Sequence, residues 1–165
     1  MRTRLTAVAL VLAGFAALAP ASPAFAAAPV VEGPTHAEGT SEIADCGSFT
    51  ILDQFSIDFT LRLFFDRDGT LVRLEEQVSG TDTFVNSETG EAIPTSFHNA
   101  VHIDPDAGLG ANTGVVFRVT LPGSGAVFLD VGRIVTNQAG TIVAFEAGPH
   151  QFFGGDFAGL CEALA

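Results

Sequence analysis

Three polar side chains, Glu76, Asn99 and Asp130, lie in stretches of alternating apolar and polar residues, and each falls on the apolar parity. Because residues of one parity point to one face of a strand, we expect all three to face inward among apolar side chains. Burial raises the pKa of a carboxyl group, and a nearby second carboxylate raises it further. Sparse polar groups on an apolar concave wall are typical of a small-molecule site. The sequence therefore predicts ligand binding by Glu76, Asn99 and Asp130, with Phe117 and Phe128.

Other residues that could carry chemistry do not form a recognised motif. His98 and His102 share an outward face, but four residues along a strand span about 13 Å, too far for one metal ion. The segment 104–108 resembles the start of a calcium loop, yet Val115 stands where the closing bidentate acid is needed. Neither a G-x-S-x-G elbow nor a nucleotide-binding glycine pattern is present. The sequence predicts no metal, no cofactor and no catalytic residue.

The two cysteines, Cys46 and Cys161, are expected to form a disulfide. An even pair in an exported protein is first interpreted this way, whereas a zinc site usually shows C-x-x-C clusters and a catalytic thiol would be unprotected in an oxidising compartment. The bond would close a loop of about 115 residues and stabilise the fold by about 4 to 5 kcal/mol.

The elements that position these residues are predicted to be antiparallel strands. From Cys46 onward, alternating segments are separated by short turns rich in Gly, Asp, Asn and Pro, which is typical of hairpins. Closure into an all-β, up-and-down barrel, or a related sandwich, would protect the sheet edges. About seven or eight strands are expected, among the segments 49–52, 55–66, 70–79, 81–86, 91–103, 114–121, 126–136, 141–147 and 150–153, followed by a helix over 156–164 capped by Asp156.

Tight four-residue turns would fix the register of each hairpin and hence the residues that face each other. A bulge at Gly125, Gly132 or Gly140 would instead turn an acid outward, and a buried aspartate can also be satisfied by backbone donors. The expected opposed pairs are Phe59 with Glu76, Leu61 with Leu74, Phe117 with Asp130, Val119 with Phe128, Val115 with Gly132, Ile134 with Val143, and Gly132 with Phe145.

Residues 1–26 have the order of a secretory signal peptide, with Arg2 and Arg4, an apolar run, and the small-residue sequence Ala24-Phe25-Ala26. The run is shorter than a membrane-spanning helix requires, so we expect cleavage after Ala26, no membrane segment in the mature chain, and an extracellular location. Residues 27–45 are rich in Gly, Pro and acids and are expected to be a flexible leader to a single domain at 46–165.

The mature chain is strongly acidic. The signal peptide contains two of the 7 basic residues, which leaves five arginines against 19 acids and a net charge of −14. Phosphate binding needs a basic surface, so nucleic acid and anionic membranes are disfavoured as partners. The sequence predicts no particular oligomeric state.

The motifs Asn86-Ser87-Glu88-Thr89-Gly90, Gly132-Arg133 and Leu160-Cys161, spread between the two cysteines, resemble small exported β-rich proteins of high-GC Gram-positive bacteria. That resemblance implies an architecture and no catalytic residue. The strand meander, terminal helix and closing disulfide are similar in outline to lipocalin-like barrels, although the Gly-x-Trp signature of lipocalins is absent because the chain has no Trp.

Three functions fit these observations. The preferred hypothesis is a secreted, non-enzymatic protein that binds a small apolar ligand in the barrel interior. A cofactor-free isomerase or cyclase would use the same inward acids for proton transfer. A surface or interaction protein would have a packed interior and use an outward apolar patch, formed by Val127, Leu129, Val131 and Val135.

Overall fold

A computed structural model of the protein describes residues 28–165, and the predicted signal peptide lies outside them. The described chain forms one sheet of seven antiparallel strands, in which each strand pairs with its neighbours in sequence. This confirms the predicted all-β, up-and-down architecture. The strands are β1 (Val30–Asp45), β2 (Thr50–Phe65), β3 (Leu71–Asn86), β4 (Ala92–Asp104), β5 (Leu109–Leu121), β6 (Gly125–Asn137) and β7 (Val143–Ala147), and the helices are α1 (Gln151–Gly154) and α2 (Ala158–Leu164).

The sheet has two edges, β1 and β7, so it is not closed into a barrel. β7 has only five residues, and the chain then turns into α1 where a last strand was expected at 150–153. No helix in residues 28–165 is long and apolar enough to cross a bilayer.

Residues 30–45, expected to belong to a flexible leader, instead form β1 and pair along β2. The glycines in this segment suggested irregular chain, but they have packing roles. A Cβ added at Gly39 would lie 2.7 Å from Cζ of Phe55, so the glycine makes room for the aromatic ring of the neighbouring strand. Pairing with β2 thus orders a segment that has little hydrophobic pattern of its own.

Two pairs of predicted strands are continuous in the structure. The segments 49–52 and 55–66 fall in β2, and the segments 70–79 and 81–86 fall in β3. Gly80, which suggested a break in β3, lies opposite Ile57, where an added Cβ would clash with the backbone of β2. The glycine therefore permits close strand pairing and does not end the strand.

The predicted strand register is correct in the middle of the β5–β6 hairpin, and the other predicted pairs are shifted. Phe117 lies opposite Asp130 and Val119 opposite Phe128, as expected. A bulge at Phe64/Phe65 places Leu61 opposite Glu76 instead of Leu74. Because that shift is two residues, Glu76 keeps its predicted face. Three further pairs also differ: Gly132 lies opposite Gly114 rather than Val115, Phe145 opposite Val135 rather than Gly132, and Ile134 opposite Glu146 rather than Val143.

The helices cover one end of the inner face, which we define as the face that carries Phe84, Phe117 and Phe128. Leu160 and Leu164 of α2 are fully buried in this core. The disulfide joins Cys46 to Cys161, with 5.7 Å between their Cα atoms, and confirms the predicted pairing. It fastens α2 to the chain between β1 and β2. The helix begins at Ala158 with Phe157 at its N-cap, so the predicted cap at Asp156 is wrong, although the Asp156 carboxylate accepts the Ala158 N–H at 3.3 Å.

Candidate functional site

A cleft of about 420 Å³ lies over the inner face of β4, β5 and β6 and is bounded by α1. Its volume lies in the range of small-molecule sites, about 300 to 1,000 Å³. The wall combines aliphatic side chains with amide and hydroxyl groups, so it can bury an apolar body and hydrogen-bond a polar group. The lining residues are Val101, Ile103, Gly110, Ala111, Asn112, Ile134, Thr136, Asn137, Gln138 and Phe153.

Asn99, one of the predicted site residues, lies beside this cleft and contacts its wall. Asn99 is buried, and its Nδ2 donates to Oδ1 of Asn112 at 3.1 Å. Asn112 lines the cleft, and this bond engages its side-chain oxygen. The NH₂ group of Asn112 takes no part in the bond and is a hydrogen-bond donor. Asn99 therefore positions a polar lining residue and does not itself line the cleft.

Asp130, a second predicted site residue, is fully buried and has protein partners. Its Oδ1 lies 3.0 Å from Nδ1 of His150, and its Oδ2 accepts the Phe153 N–H at 3.1 Å. It thus ties the start of α1 to β6, together with Gln151, whose Oε1 accepts the Leu129 N–H at 2.6 Å. Asp130 serves as an anchor for the segment that bounds the cleft.

Two glycines bring this segment against β6. Gly132 and Gly148 have φ values of 126° and 108°, and a Cβ on either would clash with the backbone of the other strand. Positive φ values are readily adopted by glycine alone. The close approach lets the Val131 N–H donate to the Pro149 carbonyl at 2.9 Å, and it places His150 directly opposite Asp130.

The remaining predicted residues do not line the cleft. Glu76 is half-buried on the inner face, opposite Leu61 and Val101. Phe117 and Phe128 are buried in the core, with their ring centroids 5.9 Å apart. The structure therefore does not gather the five predicted residues into one pocket.

An aspartate pair, Asp53 and Asp82, is buried on the inner face and was missed by sequence reasoning. They are 7% and 2% exposed, and one carboxylate oxygen of each has no partner among the described residues. Asp53 lies opposite Phe84 and Asp82 opposite Phe55, so the two acids are diagonal neighbours. Burial raises the pKa of Asp53 to about 6. Burial and the charge of Asp53 together raise the pKa of Asp82 to about 7.

On the outer face, His98 and His102 follow the predicted orientation, and both are exposed. Nδ1 of His102 lies 3.7 Å from Glu75, which also pairs with Arg73 at 3.3 Å. Within residues 28–165, no group of three or more His, Cys, Asp or Glu side chains is arranged to hold a metal ion.

No protein-family model, curated protein or solved structure matches this chain, so the residues themselves carry the argument for its function.

Proposed function

We propose that this protein is exported and binds a small, largely apolar molecule in the cleft between β4, β5, β6 and α1. The observation that carries the proposal is the cleft itself, because an apolar wall with a few fixed polar groups matches the chemistry of ligand sites. Binding would remove Val101 and Ile103, which are partly exposed, from water, and buried apolar area contributes about 25 cal/mol per Å².

The polar groups of the wall would orient the ligand. Asn112 is held by Asn99, and Thr136 supplies a hydroxyl group from β6 on the same wall. None of the described lining residues has an ionisable side chain. The wall is therefore suited to holding a neutral ligand, which supports binding as the function in preference to acid–base turnover.

Export is supported by the sequence order of residues 1–26 and by the disulfide, because disulfides persist in oxidising compartments. Amino-terminal sequencing of the protein recovered from culture medium tests this part of the proposal. The expected first residue is Ala27. Recovery of the intact chain from cell membranes alone would contradict export.

Binding can be tested with the neutral fluorescent probe N-phenyl-1-naphthylamine and a variant that fills the cleft. Gly110 lines the cleft, and a Cβ there would meet only Cγ1 of Ile103, at 4.0 Å. Gly110→Leu should therefore keep the fold while occupying ligand space. We expect the probe to bind the wild type and to bind this variant about tenfold more weakly or worse.

The matched control is Thr113→Leu, which adds the same side chain to the same strand. Thr113 is exposed and lies on the opposite parity of β5 from Gly110. This control should bind the probe as the wild type does. Equal probe affinity in all three proteins, or no binding by the wild type, would contradict the proposed cleft.

A further inference from the structure

His150 lies on the inner face beside Asp130, and both side chains are withdrawn from water. The side chains are 4% and 0% exposed, and Nδ1 of the imidazole is 3.0 Å from Oδ1 of the carboxylate. A carboxylate can only accept, so Nδ1 carries the proton in this bond. In the neutral ring, Nε2 is then a bare acceptor with a fixed orientation.

The Nε2 atom of His150 is buried and has no hydrogen-bond partner in the described part of the chain. Leaving a buried acceptor unpaired costs stability, and such atoms are uncommon in folded proteins. A fully buried aspartate, Asp130, nevertheless holds this ring in a fixed orientation. An oriented acceptor without a protein partner is what a ligand hydroxyl group requires.

Phe153 connects this acceptor to the cleft. It lines the cleft, and its ring is also the aromatic neighbour of His150, with centroids 6.4 Å apart and planes at 61°. The side chain is 44% exposed, and α1 is a four-residue helix with no buried residue. Besides His150, the Phe153 ring contacts Phe152, with centroids 5.6 Å apart, and its exposed portion leaves room for the side chain to rotate.

We propose that Nε2 of His150 accepts a hydrogen bond from a hydroxyl group on an otherwise apolar ligand, which reaches it when the Phe153 side chain moves aside. The inference rests on the proposed function and adds the class of ligand, an apolar alcohol or phenol. Asp130 is a positioning residue here, because it acts on the ligand only through the imidazole ring.

The test compares naphthalene with 2-naphthol, which differ by one hydroxyl group. We expect 2-naphthol to bind the wild type at least about fivefold more tightly, as one satisfied acceptor predicts. In ¹⁵N spectra of the imidazole rings, bound 2-naphthol should move the Nε2 resonance of His150, whereas naphthalene should not. His98, exposed on the outer face, is the internal control and should not respond.

Phe153→Ala tests this movement, since it removes the side chain that contacts both the cleft and His150 and keeps the backbone N–H that Asp130 accepts. It should increase the preference for 2-naphthol over naphthalene, and an unchanged preference would overturn the movement of Phe153. Equal binding of both probes, or a bound 2-naphthol that leaves His150 unmoved, would overturn the inference while leaving the proposed function intact. Failure of both probes to bind would overturn both.

Discussion

Replacing Asp82 with asparagine should remove most of the pH dependence of the free energy of unfolding above the range where ordinary carboxyl groups titrate. Asp82 and Asp53 are buried diagonal neighbours with raised pKa values of about 7 and about 6, against 3.8 for the unperturbed group. The folded state therefore binds more protons than the unfolded state at intermediate pH. The stability that this contributes is present at low pH and is lost as pH rises through the folded pKa values.

The magnitude follows from these pKa values. Between about pH 5 and about pH 8, the free energy of unfolding of the wild type should fall by about 3 kcal/mol through Asp82 and by about 1 kcal/mol through Asp53. In Asp82→Asn the first contribution vanishes, and the second remains because burial raises the pKa of Asp53. The variant should therefore lose at most about 1 kcal/mol over the same range.

Urea unfolding followed by circular dichroism at several pH values measures these free energies. Asp106→Asn is the matched control, because Asp106 is exposed and should leave the wild-type pH dependence unchanged. Histidines titrate in the same range, and the difference between wild type and variant isolates the aspartates from them. A wild-type stability that is flat or rises with pH, or a variant that keeps the full decrease, would refute the reasoning.

Two further predictions concern the fold. Reduction of the Cys46–Cys161 bond, or the double variant Cys46→Ser with Cys161→Ser, should lower the free energy of unfolding by about 4 kcal/mol in denaturant titration, because it frees a long loop; an unchanged midpoint would contradict this. Gly114→Ala should cost about 2 kcal/mol or more, since φ is 126° and the new Cβ would lie 2.7 Å from the His98 carbonyl oxygen. Gly69→Ala, with φ of 81° but no atom within 4 Å, is the control for conformational strain alone and should cost less.

The presence of the strands, and the face to which each side chain points, could be predicted because apolar and polar residues alternate with a period of two. Phe117 and Asp130 were placed opposite each other correctly, and Asp130 and Asn99 are buried as expected. Asp53 shares the parity of Phe55, and extending the segment 55–66 by two residues would have placed it inside. Asp82 shares the parity of Phe84 and already lay in the predicted segment 81–86. Short polar or glycine-containing sequences near these aspartates suggested that the strands end there. Pairing with the neighbouring strands instead keeps β2 and β3 continuous.

The position of His150 could not be predicted from the pattern. It depends on the backbone approach of Gly132 and Gly148, and on a β6–β7 register that differs from the one a tight turn implies. The cleft depends in turn on how α1 sits over the inner face, which Asp130 and Gln151 determine through contacts distant in sequence. Contacts between residues distant in sequence produce no local pattern, so only part of the site could be predicted from the sequence.

Chemical-shift mapping of the backbone amides with saturating N-phenyl-1-naphthylamine tests the proposed cleft most directly. Binding in the cleft should give the largest shifts at lining residues on three adjacent strands, including Val101, Asn112 and Thr136. The proposed cleft would be contradicted if the largest shifts fell instead on the exposed apolar residues at the β7 edge, Ile142, Val143 and Phe145, or if no amide responded.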